Sequence, residues 1–378
     1  MLKQADKPEE IGFTSEGMNN ASRILAQAVE SGALMGAALQ VSRDGVTLAP
    51  ACFGRRQLEP DGAPVDPETI FLVASITKPI VAAGAMLLVE RGKICLDDLV
   101  ARLVRGFGKQ AKGEVQVRHL LTHTSGLPDM LEENLELRAE KAPLEVFVER
   151  ICRVKLLFRP GTRISYQSCG IAMLGEIVNR VEGVPIREWL RREIFDSLGL
   201  VDTSLGMQAD RRNRISDVKI PGQSFEYGAD EATDWNWNSD YWRSFGAPWG
   251  GMFTTAQEMT ALLQVFLYGG TLEGTRVLGP GTVAAMTTDQ TSPMPALPEE
   301  ERRRQRWGLG WRLRDRSIST YGDLTSDRTF GHTGATGTVA WVDPESGVTC
   351  TLFTNDPKGA GAVRSRVSNA VAGAVMSR

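Results

Sequence analysis

The pattern of apolar and polar positions predicts strands at both ends of the chain and helices between them. Over 15–32, Met18, Ala21, Ile24, Leu25 and Val29 recur near helical spacing behind Ser15, a possible N-cap, and Gly32 ends the run. Two apolar runs, 36–41 and 46–53, flank Ser42-Arg-Asp-Gly45 and predict a hairpin turning at Asp44-Gly45. Residues 69–73 then lead into 80–89, apolar almost all round, which predicts a central buried helix stopping at Gly92.

Further on, a short helix and turn-rich loop are expected over 117–128, and longer helices over 143–154, 168–181, 186–198 and 255–268. Residues 208–248 read as irregular, and 291–306, with three prolines and a Glu/Arg run, as a solvated surface loop. Short alternating β segments are expected at 307–314, 338–342 and 349–354, with a closing helix over 363–376. There is no internal repeat. This order predicts an α/β (α+β) fold in which 1–74 and 305–378 share an antiparallel sheet flanked by the terminal helices. A mainly helical region, 75–304, is inserted between the two pieces.

Composition narrows the function classes. At 378 residues, 42% hydrophobic and 24% charged, the chain reads as a soluble globular protein too long for a single small core. A net charge of −3 gives no reason to expect nucleic acid or an anionic membrane as partner, and no apolar run approaches a membrane span. The first ten residues lack an apolar signal core, so no secretory leader is expected. Five scattered cysteines without a C-x-x-C, beside only three histidines, argue against a zinc site or a disulfide framework. Cytoplasm, no metal and no cofactor are the expectations.

Three clusters carry candidate chemistry. Ser75 and Lys78 are three residues apart, so a helix places them on one face, where an amine can touch a hydroxyl. Pro79 is tolerated only in the first turn of that helix, and a lysine in so apolar a segment needs a partner. Serine is nucleophilic only with a base in reach, and Lys78 is one. Tyr166 stands in the Gly-flanked turn 161–170 with Ser168 two residues on, aimed at a cleft or packed as a turn aromatic. Finally, Gly331-His332-Thr-Gly334-Ala-Thr-Gly337 places three glycines before an alternating strand: a close backbone approach that can offer an N–H to an oxyanion, or a plain glycine-rich hairpin.

Together, Ser75-Ile-Thr-Lys78, Tyr166-Gln-Ser168 and His332-Thr-Gly334 resemble the S-x-x-K, Y-x-N and K-T-G boxes of class C β-lactamases and penicillin-binding-protein-like serine hydrolases. Residues 118–127 and 248–255 resemble the turn beside the cleft and the glycine step of that family, and the likeness covers roughly 10–375. It implies a β-lactamase/transpeptidase-like fold and an acyl-enzyme on Ser75, with Lys78 and Tyr166 as base machinery in either order. It also implies an oxyanion hole from the N–H groups of Ser75 and Ala335, with Gly334 and Trp249 beside the substrate. Two positions depart: Ser168 replaces the Asn of the second box and His332 the Lys of the third. Losing both argues against efficient β-lactam hydrolysis and makes the pattern more similar to family VIII carboxylesterases. A small-molecule ester is the expected partner.

An imidazole at 332 titrates near neutrality, so it is expected to bond Tyr166 or a substrate oxygen and to favour uncharged esters. His119 and His123 read as structural hydrogen-bonders. Trp235, Trp237, Trp242 and Trp249, with Tyr241 and Phe245, wall an apolar acyl or alcohol pocket or pack their own loop. The alternatives are a weak β-lactamase, a D-amino-acid peptidase or amidase, an acyltransferase and a non-catalytic scaffold.

Overall fold

The computed structural model describes residues 2–220, 233–315 and 320–377. Its main sheet has eight strands, in the order Lys3–Gln4, Val46–Thr47, Gly36–Arg43, Val348–Thr354, Val339–Asp343, Phe330–Thr333 and Arg312–Leu313. Ala51–Gly54 adds a second partner for Gly36–Arg43. Every pairing in this sheet is antiparallel except Lys3–Gln4 with Val46–Thr47. The two chain ends meet where Val348–Thr354 pairs with Gly36–Arg43 over seven residues, Val348 to Thr354.

Both faces of this sheet are covered. Val348, Cys350 and Leu352 point into a core shared with the terminal helices Ser15–Glu30 and Pro357–Gly373. On the other face the threonines between them are just as buried and pair their hydroxyls, Thr349 with Ser42 at 2.6 Å and Thr351 with Thr260 at 3.0 Å. Thr260 belongs to the helix Ala256–Leu267, which lies within 75–304 yet packs on the sheet. The alternation of that strand therefore separates two interiors, with buried hydroxyls satisfying one another.

The helix Thr77–Glu90 is buried from Thr77 to Leu88 and packs against Ser168–Glu182, forming the centre of the helical region. Its all-round apolar sequence requires this. The expected helix over 186–198 begins as Ile186–Leu190, widens into a π-turn at Arg191–Phe195 and tightens at Asp196–Leu198.

Several expectations are corrected. Thr14, not Ser15, caps the first helix, accepting from Gly17 N at 3.2 Å. The hairpin's second strand is interrupted between Thr47 and Ala51, where Pro50 has no N–H for the ladder. The Glu/Arg run is a helix, Glu299–Arg304, laced by i,i+4 pairs of Arg303 with Glu299 and Arg304 with Glu300. Of 307–314 only Arg312–Leu313 is strand. The closing helix starts at Pro357 under an Asp356 cap, its early turns obscured in the sequence by Gly359 and Gly361. Within 208–248, Asp240–Phe245 is helical under a Ser239 cap, and 221–232 lie outside the described residues.

Candidate active site

Ser75 lies in a single 3-10 turn, Ala74–Ile76, immediately ahead of the helix Thr77–Glu90 rather than in its first α turn. Ala74 takes a left-handed φ of 46°, a costly conformation for a residue with a Cβ, and this reverses the chain from the Phe71–Leu72 strand into the turn. Thr77 fixes the reversal, donating to Ala74 O at 2.6 Å and accepting from Met252 N at 3.0 Å.

Lys78 is 1% exposed. Its Nζ donates to Ser75 Oγ at 2.9 Å and to Trp249 O at 2.8 Å, and lies 4.6 Å from the Tyr166 ring centre. Burial lowers its pKa to about 7, against the opposing pull of Asp129. Near neutrality a large share of this amine is therefore unprotonated and in contact with a hydroxyl.

The 117–128 segment builds the wall that carries Tyr166. His123, at φ 59°, accepts from Gln167 N through Nδ1 at 3.1 Å. Gln167 donates to His119 O at 3.0 Å and accepts from the Ser125 hydroxyl, while His119 accepts from Gln116 N at 3.1 Å to cap its helix. Both histidines are held neutral by burial, His119 with a pKa of about 4 and His123 well below the usual imidazole value. His123 also touches Tyr166, ring centres 4.8 Å apart. Ser168 opens the next helix, its N–H donating to the Asp129 carboxylate at 2.8 Å.

The third cluster ends the strand Phe330–Thr333. Thr333 O can only accept, so the 2.7 Å contact fixes the proton of His332 on Nδ1. Its Nε2 is then a bare acceptor, buried and without a hydrogen-bond partner among the described residues. Burial and Lys78 lower the His332 pKa to about 3, so the ring is neutral. In this tautomer Nε2 can accept from an O–H or N–H, including the hydroxyl of Tyr166 or of a substrate. Gly334 is required by close approach: a Cβ there would lie 2.2 Å from Val73 O. Thr336 and Thr338 pin the same loop to the chain leading to Ser75, donating to Leu72 O at 2.6 Å and Val73 O at 3.0 Å. No acceptor among the described residues takes the N–H of Ser75 or of Ala335.

Ser75, Tyr166 and Ala335 line two cavities. The narrow one, about 30 Å³, is walled by Met130, Ser168, Trp237, Trp242 and Trp249. The wide one, about 350 Å³, is lined by His332, Trp307, Arg312 and Arg364 among others. Trp235 is in neither lining. Arg312 and Arg364 are absent from the sequence-level site. Arg312 sits opposite Gly331 on the edge strand, and among the described residues no hydrogen bond or ion pair holds its guanidinium. Only its place in an alternating segment hinted at a facing side chain, and its strand partner lies across a long excursion of chain.

Comparison with known proteins places this geometry. A protein of Escherichia coli O157:H7 provisionally named D-alanyl-D-alanine carboxypeptidase is 26% identical over 93% of this chain and 85% of its own. A penicillin-binding protein homologue from Caulobacter crescentus superposes with a TM-score of 0.76 at 23% identity, over 96% of this chain and 99% of its own. A family VIII carboxylesterase does so with a TM-score of 0.74 at 19% identity, over 94% and 99%. These likenesses establish the β-lactamase/transpeptidase-like fold. The sequence model of the Beta-lactamase family matches residues 21–373, and the chain belongs to that family of serine hydrolases.

Proposed function

We propose that this protein is a carboxylesterase that forms an acyl-enzyme on Ser75 and acts on short acyl esters. The observation that carries the reading is the buried contact of Lys78 Nζ with Ser75 Oγ at 2.9 Å, with the amine's pKa lowered to about 7. Neutral Lys78 takes the proton from Ser75 Oγ as the oxygen attacks the ester carbonyl. The N–H groups of Ser75 and Ala335 hold the oxyanion. The proton then passes, with Tyr166 beside Lys78, to the departing alkoxide, and water reverses the sequence to release the acid. The neutral His332 and the narrow tryptophan-walled cavity support a small, uncharged acyl group over a β-lactam. Five unpaired cysteines suit a reducing, cytoplasmic setting.

The test is hydrolysis of p-nitrophenyl acetate, butyrate and octanoate beside a chromogenic cephalosporin, by the native chain and Ser75→Ala. Turnover of the short esters, lost in Ser75→Ala and with little cephalosporin cleavage, is the expected result. Comparable cephalosporin cleavage, or ester turnover surviving the substitution, overturns it.

One observation favours a second reading. Arg312, whose guanidinium has no hydrogen bond or ion pair among the described residues, brings a cation to the wide cavity, which suits a leaving group bearing a carboxylate, as in a D-amino-acid carboxypeptidase. Faster release from a peptide ending in free D-alanine than from its amidated form selects this reading; equal rates exclude it.

A further inference from the structure

The half-buried guanidinium of Arg364, which lines the wide cavity, grips the loop that carries Ala335. It comes from the helix Pro357–Gly373, remote in sequence from Ser75, Lys78 and Tyr166. Its Nη2 donates to Gly334 O at 2.7 Å and its Nε to Gly337 O at 3.3 Å. Among the described residues no carboxylate pairs with it. A partly desolvated cation gains from using its donors, and these two carbonyls take two of its five N–H groups.

Gly334 O and Ala335 N–H belong to one planar trans peptide and point to opposite sides of it. A cation bonded to the carbonyl withdraws electron density across the amide and strengthens the N–H as a donor, while fixing the plane in which it points. Gly334 O also accepts from Gly337 N at 3.1 Å, so a tight turn already forms there and the arginine adds charge and orientation to it.

Resting on the assignment of Ser75 as nucleophile and Ala335 N–H as oxyanion donor, we infer that Arg364 is a positioning residue that polarises the Gly334–Ala335 peptide. It acts through that peptide and touches no reacting atom. Burial lowers its pKa to about 10, which leaves it charged at neutral pH.

The experiment compares the full-length native chain with Arg364→Lys, Arg364→Gln and Arg364→Met. Two readouts are taken: kcat and KM for p-nitrophenyl acetate, and the affinity for phenylboronic acid, which forms a tetrahedral anion on a serine oxygen. Removing one oxyanion donor outright costs about 100- to 1,000-fold in kcat, so weakening one is expected to cost Arg364→Met about tenfold. KM should stay within about twofold, boronate affinity should fall in parallel with kcat, and Arg364→Lys should recover more than Arg364→Gln because charge is what it restores. A folded Arg364→Met with unchanged kcat and boronate affinity overturns the inference. So does equal recovery by Lys and Gln, or a rise in KM at constant kcat. If Arg364→Met fails to fold, the Lys and Gln variants decide between the same outcomes. Ser75→Ala separates the two claims: boronate affinity surviving in it means the assignment of the nucleophile has failed, whereas its loss leaves that assignment standing whatever Arg364 does.

Discussion

Lys78 donates to the hydroxyl of Ser75 across 2.9 Å from a position only 1% exposed to solvent. The contact joins two needs: that of the proposed nucleophile for a base, and that of a buried amine for polar partners. Trp249 O supplies the second partner and the Tyr166 face borders the third side. The same burial that makes the lysine costly lowers its pKa to about 7, which suits it to take a proton at neutral pH.

This gives a pH profile. kcat/KM for p-nitrophenyl acetate should rise through an apparent pKa near 7 as Lys78 loses its proton, and Lys78→Arg, which cannot deprotonate, should lose about 1,000-fold or more. His332, with a pKa of about 3, should contribute no limb above pH 5. Stability should follow the same group. The folded value of Lys78 lies below its ordinary 10.5, so the unfolded chain binds more protons between about 7 and 10.5 and stability rises with pH across that window. The cost of holding the ammonium in the core is fully present below about 7. Urea titrations of native and Lys78→Met chains at pH 6 and 9 check this: the native gain on raising pH should shrink in the variant.

Gly334→Ala should inactivate without abolishing the fold. The added methyl would meet Val73 O at 2.2 Å, and the backbone following Gly334 is pinned to Leu72 and Val73 by Thr336 and Thr338. Relief requires the loop to move away from Ser75, which withdraws the Ala335 N–H. A fall in kcat of about 100-fold is expected, from the usual cost of a lost oxyanion donor, with circular dichroism near native.

Arg312 and His332 should set charge preference in opposite directions. Arg312→Gln removes the arginine cation from the wide cavity and should cut the rate ratio of carboxylate-bearing to neutral substrates by about tenfold, the scale of one charge-assisted bond. His332→Lys should raise that ratio. Paired p-nitrophenyl succinate and butyrate assays measure both, and an unchanged ratio in His332→Lys refutes the specificity role of that position.

Trp237→Ala should shift the acyl preference from acetate toward octanoate by enlarging the narrow cavity, at about 3–5 kcal/mol of stability for a buried tryptophan. Trp235→Ala, which touches neither cavity lining, should leave the preference unchanged. The ratio of octanoate to acetate rates, read beside thermal melts, separates pocket from packing.

The sequence alone determined whatever is written in nearby residues. The three-residue spacing of Ser75 and Lys78, the all-round apolar run behind them and the glycines around His332 are local patterns, and each predicts its own element because periodicity and close approach act over a few residues. The family likeness rested on the same short motifs, and the strand runs at both ends foretold the shared sheet. Tertiary structure decided what depends on partners distant along the chain. The left-handed turn at Ala74 follows from Thr77 and Met252, and the Nδ1 proton of His332 from the geometry of one carbonyl. Arg312 and Arg364 reach the cleft through strand register and helix docking. The lysine's pKa belongs in the same class: its residue type is local, but the loss of water that moves its titration is set by everything packed around it.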